Sequence, residues 1–133
     1  QPVVFYVGAS SSTTGPVDPV VFSKVFINNG SAWNSATNKF VSPIDGVYFM
    51  QLNVCLPNVA NTVSTMELLL NGTAVMNFAY LSSSRNNYDQ RSRGILLRLN
   101  VRDELRVRLP SGFDFFADST HFHTRFGGFR VHV

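Results

Sequence analysis

Histidine, cysteine and arginine are the side chains of this sequence best suited to chemistry. His121 and His123 stand two positions apart. On an extended strand both imidazoles would face one side, where they could ligate a metal together. The competing expectation is a pair of surface imidazoles flanking Phe122, because no motif fixes a cysteine or carboxylate beside them. The third histidine, His132, lies near the end of the chain. Cys55 is the single cysteine, which excludes an internal disulfide framework, a cysteine-rich zinc site and CxxC redox chemistry. Nucleophile elbow, phosphate loop and HExxH helix are all missing. The expectation is a protein that is not an enzyme.

Arginine outnumbers lysine nine to two. Arg85, Asn86, Tyr88, Arg91 and Arg93 crowd one polar stretch and are the candidate ligand-binding residues. Guanidinium groups present planar, bidentate donors that match carboxylate, sulfate or phosphate. An acidic sugar or a microbial surface polyanion is the ligand class they would suit. Arg98, Arg106 and Arg108, with Arg102 between them, form a second set on alternating strands. The alternative for both sets is solvated sheet surface, or pairing with Asp103, Glu104 and Asp114 across a subunit interface. A net charge of only +3 with no recognition motif argues against nucleic acid. No run approaches the roughly 20 apolar residues of a membrane span, so no membrane insertion is expected.

The elements that position these groups read as all-β. Of 133 residues, 44% are hydrophobic and 14% charged, with twelve Phe, which excludes disorder and suits a single domain over 1–133. Short alternating segments separated by frequent turn signals predict a sandwich or barrel of about eight to ten strands. Pro2 to Gly8 reads as the first strand. Val20 to Ile27 follows, turned by Asn28-Asn29-Gly30, and then a short piece runs from Lys39 to Val41. Gly46 to Leu56 is the clearest strand, with Tyr48, Met50, Leu52 and Val54 on its inner face. Cys55 takes the outward parity of Gln51 and Asn53, which points to a subunit contact or an intermolecular disulfide. Met66 to Leu70 and Ala74 to Tyr80 flank Asn71-Gly72 as a hairpin. Leu81 to Arg93 reads as an exposed loop. Leu105, Val107 and Leu109 face inward, and Phe126 to Val133 closes the chain. Two N-x-[ST] sequons, at Asn29 and Asn71, fall on turn-like Asn-Gly pairs.

Phe22, Asn28, Trp33, Phe40, Gly46 and Tyr48 stand at spacings that resemble the signature of the C1q globular domain. NNYDQRSRGILLRL from Asn86 to Leu99 and the closing FGGFRV from Phe126 to Val131 extend the resemblance over most of the chain. Two departures are Met50 and Leu52, where the family usually carries aromatics, and Arg102-Asp103, where it has a Gly-Asp turn. The resemblance implies a ten-stranded jelly-roll β-sandwich of the C1q/tumour-necrosis-factor type, assembled as a homotrimer. The phenylalanine surplus agrees, since a thin sandwich with this many large apolar groups would need a partner surface for some of them.

The same resemblance implies a secreted, extracellular protein and possible calcium binding. Asp89 and Gln90 stand where the family has an Asp-Gln pair, although Leu81 replaces a further Asp found eight residues earlier in calcium-binding members. The implied function is lectin-like pattern recognition, with glycans or microbial polyanions as partners in innate immunity. The alternatives are a trimeric ligand for a cell-surface receptor, or a structural protein of matrix, secreted fluid or mineralised tissue.

Overall fold

A computed structural model describes the backbone of residues 2–56, 62–82 and 89–131, and their side chains apart from 62–65, 78–82 and 89. Period-two alternation becomes two antiparallel sheets packed face to face. The first orders β3 (Lys24–Asn29), β1 (Val4–Gly8), β12 (Arg125–Arg130), β6 (Gly46–Leu56) and β9 (Asp89–Leu99). The second orders β4 (Trp33–Asn34), β5 (Lys39–Val41), β10 (Glu104–Arg108), β7 (Thr62–Leu70) and β8 (Thr73–Ser82). A small pair, β2 (Thr13–Thr14) with β11 (Asp114–Phe115), lies outside both. These two five-stranded sheets form the jelly-roll sandwich expected from the sequence.

The core lies between the sheets. Tyr48, Met50, Leu52 and Val54 of β6 are buried on its inner face, as their spacing requires. From the opposite sheet Phe40, Leu68, Leu105 and Val107 meet them. Each such side chain contributes about 1.5–3 kcal/mol through removal from water. Met50 and Leu52 both take inner positions and are buried, so they fill the core there without aromatic rings. Phe5, Phe22, Phe40 and Phe126 pack around Trp33 and Tyr48 in stacked and edge-on contacts 4.9–6.1 Å between centroids. The Tyr48 hydroxyl donates to the Ile44 carbonyl at 2.7 Å, so its one polar atom is satisfied inside the core.

Several expectations change. The segment expected as a strand from Val20 pairs as β3 only from Lys24 to Asn29, although Val20 and Phe22 are buried ahead of it. The hairpin strands extend to Thr62–Leu70 and Thr73–Ser82. The exposed loop expected over Leu81–Arg93 is largely strand: Leu81 and Ser82 end β8, and Asp89 to Arg93 begin β9, paired with Leu56 to Leu52 of β6. A polar composition there hid a sheet-edge strand, which needs only one apolar face.

Cys55 is 3% exposed and so does not lie on an outer surface, as its parity had suggested. The segment from Phe116 to Thr124 folds over that end of β6. Phe116 N–H donates to the Cys55 carbonyl at 2.9 Å, and Cys55 N–H donates to Thr124 Oγ1 at 3.1 Å. Residues on both faces of β6 are therefore covered at its C-terminal end.

Candidate functional site

Three surfaces follow from this frame. The first is the outer face of the sheet that contains β1, β12 and β6. Residues of outward parity there are unusually apolar: Tyr6 packs on Phe26 and Phe49 on Phe129, with centroids 5.5 and 5.7 Å apart. Phe129 is 46% exposed, Ile27 43% and Leu96 64%. A shallow apolar depression runs between Tyr6, Ile27, Phe49 and Phe129, floored by Gly127 and Gly128. Of the twelve phenylalanines, Phe5, Phe22, Phe40, Phe115 and Phe126 are fully buried, while Phe26 and Phe129 stand exposed. Among the described phenylalanines, the two exposed ones both lie on this face.

The second surface is the start of β9. Arg91 lies opposite Val54 and Arg93 opposite Leu52, so both share the parity of the inward row Ile95, Leu97 and Leu99. Because β9 is an edge strand, its inward side at this end opens towards the edge of the other sheet. Arg93 Nη1 crosses that gap and donates to the Asn77 carbonyl of β8 at 2.5 Å. Both arginines remain exposed. Arg85, Asn86 and Tyr88 lie outside the described residues, as does the Asp89 side chain. Gln90 is exposed, and its Nε2 donates to the His123 carbonyl at 3.2 Å.

Two of the strand arginines form ion pairs within the chain. Arg106 Nε pairs with Asp18 Oδ1 at 2.6 Å, and Arg108 Nη2 with Glu67 Oε1 at 2.8 Å. Asp18 and Glu67 lie far from them in sequence, so neither pair was visible in the local pattern. Arg102 occupies the left-handed region, with φ of 73°. Arginine thus stands at a turn position whose backbone conformation favours glycine.

The third surface is the turn before β12. His121 and His123 do sit together, with ring centroids 5.3 Å apart, but on a turn in which Phe122 has φ of 52° and not on a strand. A carboxylate is fixed beside them after all. Asp118 Oδ1 lies 3.6 Å from His121 Nδ1, and Asp118 Oδ2 lies 3.6 Å from His123 Nε2. Asp118 also accepts backbone N–H groups from His121 at 2.7 Å and Thr120 at 3.1 Å. The His121 N–H bond above all, with that of Thr120, holds its carboxyl below the usual carboxylate range. The signal that could have found Asp118 is Asp-Ser-Thr before the histidines, a pattern in which a short carboxylate caps its own turn.

Two five-stranded antiparallel sheets packed face to face define a β-sandwich of the jelly-roll class. A family model of the C1q domain matches residues 4–131, and the chain belongs to that family, which is non-enzymatic. It is similar to complement C1q tumor necrosis factor-related protein 7 of Mus musculus, 28% identical over 131 residues, or 97% of this chain and 44% of the relative. It is also similar to complement C1q and tumor necrosis factor-related protein 9A of Homo sapiens, 32% identical over 116 residues, or 84% of this chain and 32% of the relative. The chain spans less than half the length of these curated relatives. Among solved structures, the globular domain of zebrafish complement 1qA protein superposes with a TM-score of 0.75 at 17% identity, covering 98% of both chains. Murine APRIL superposes at 0.72 and 16% identity, covering 98% of this chain and all of that one.

Proposed function

We propose that residues 1–133 act as one secreted C1q-like domain, trimerising through its aromatic sheet face and binding acidic glycans or microbial surface polyanions. The observation that carries the assembly is the exposed apolar face of Phe26, Ile27, Leu96 and Phe129 on a fold that typically trimerises. A closed cyclic trimer would bury that face on each copy. The exposed guanidinium groups of Arg91 and Arg93 at the edge of the sandwich support the ligand class. Asp89 and Gln90, at the start of the same strand, are the positions proposed for calcium.

One exposed arginine–carboxylate contact is weak, so a single domain would bind an acidic monosaccharide in about the millimolar range. Three sites in one particle raise avidity by about 10²–10⁴-fold when their spacing matches the surface. That arithmetic suits lectin-like pattern recognition in innate immunity, where the target is repetitive.

Light scattering tests the assembly: a particle of about three times the 14.8 kDa chain is expected. A stable monomer at micromolar concentration refutes it. A glycan array with and without calcium tests the ligand, using Arg85→Ala with Arg91→Ala as the comparison. Undiminished polyanion binding by a trimeric double variant removes these two arginines as the site.

A further inference from the structure

We propose that Asp118, His121 and His123 form a binding site for a zinc-class divalent cation, with a ligand set that shares no residue with the proposed calcium position and is independent of the glycan reading. The three potential ligand atoms all lie within 4.8 Å of one another. Tetrahedral zinc with bonds of about 2.0 Å to nitrogen and oxygen holds its ligand atoms about 3.3 Å apart. Each imidazole stands 3.6 Å from its own oxygen of the Asp118 carboxylate, His121 Nδ1 from Oδ1 and His123 Nε2 from Oδ2, close to that spacing. Small rotations of the two imidazoles, of which His121 is largely exposed, close the remainder.

The chemistry of the donors selects the metal class. Two imidazoles with one carboxylate suit zinc, nickel or copper, whereas calcium prefers an all-oxygen shell. Three protein ligands leave a coordination position for water or for a donor from a partner. There is room for it, because both histidines line a surface depression with Tyr6, Asn53, Gln90 and Arg125.

The turn that carries the ligands is held from several sides. Phe122 N–H donates to the Asp118 carbonyl at 3.1 Å. Arg125 donates to the carbonyls of Phe122 at 2.7 Å and His121 at 2.8 Å. Gln90 holds the His123 carbonyl, and the His123 ring packs against Phe116 with centroids 5.4 Å apart. Phe122 anchors the tip edge-on against Phe26. Such outer contacts orient ligands before the ion arrives and lower the entropy lost on binding. Arg125 is the nearby opposing charge. Its guanidinium carbon lies 4.6 Å from the Phe26 ring centroid and 5.6 Å from that of Tyr6, whose π-faces stabilise the cation in place.

Titration calorimetry of the full chain with zinc chloride, in a buffer free of chelators, tests the site. The expected result is one zinc per chain with micromolar affinity, unaffected by millimolar calcium. His121→Ala with His123→Ala should weaken binding at least 30-fold, while His132→Ala leaves it unchanged. Because both imidazoles are solvent-accessible, the double variant should melt at the wild-type temperature without metal. His123→Gln provides a milder second variant and should also weaken binding. Absence of heat from the wild type up to 1 mM zinc overturns the proposal. So does undiminished zinc affinity in either His123 variant.

Discussion

Asn28 and Trp33 bond to each other twice across the turn that joins β3 to β4. Asn28 Nδ2 donates to the Trp33 carbonyl, and Trp33 N–H donates to Asn28 Oδ1, both at 3.0 Å. One amide side chain therefore satisfies both backbone groups of a buried tryptophan. Asn28→Ala is expected to lower stability by about 1–3 kcal/mol, since it strands both partners. Asn28→Asp should also destabilise, because a carboxylate oxygen would then face the Trp33 carbonyl. Urea denaturation of the two variants checks both; a loss below about 0.5 kcal/mol in each would refute the account.

Phe126 is fully buried and touches Phe5, Phe22 and Trp33. Phe126→Ala should cost roughly 3–5 kcal/mol from lost burial and an unfilled cavity. Chemical denaturation measures it directly.

Gly128 faces the core beside Met50, and a Cβ there would collide with Met50 Sδ and the Phe49 carbonyl oxygen. Backbone on the adjoining strand cannot yield as a flexible side chain can. Gly128→Ala is therefore expected to destabilise by about 1–3 kcal/mol through overpacking. A neutral result in the same denaturation assay would show that β12 can shift away from β6.

Arg102 gives a prediction of the opposite sign. With φ of 73° it carries a side chain where glycine is unstrained. A left-handed non-glycine residue costs roughly 1–2 kcal/mol, against about 0.5–1 kcal/mol of extra chain entropy that glycine loses on folding. Arg102→Gly should therefore raise stability by about 0.5–1 kcal/mol. A lower melting temperature for the variant would contradict this.

Asp118 makes stability depend on pH in the acid range. Its folded-state pKa lies below the ordinary value, chiefly through the His121 N–H. The carboxylate's contribution is therefore complete above about pH 5 and is lost as pH falls below about 4 through the lowered folded value. The stability difference between the wild type and Asp118→Asn should be largest near neutrality and shrink on acidification. A difference that grows towards acid would reverse the assignment.

Alternation along β6 and β10 was legible because strand parity is local: once Tyr48 faces inward, Met50, Leu52 and Val54 must follow. The residues of the C1q signature carried the order of strands further than periodicity could, from Phe22 to Phe126. Parity alone failed at Cys55, because its burial depends on the distant segment from Phe116 to Thr124 crossing that strand end. Composition failed at Arg91 and Arg93, which read as part of an exposed loop but take the inward row of β9 and reach solvent because that strand is an edge. The histidine pair could be read from two residues' spacing, yet its carboxylate depended on a turn closed by Asp118. Which side chains alternate is a property of the chain; which faces are covered, and which ionised groups meet, depends on contacts between segments that sequence distance does not encode.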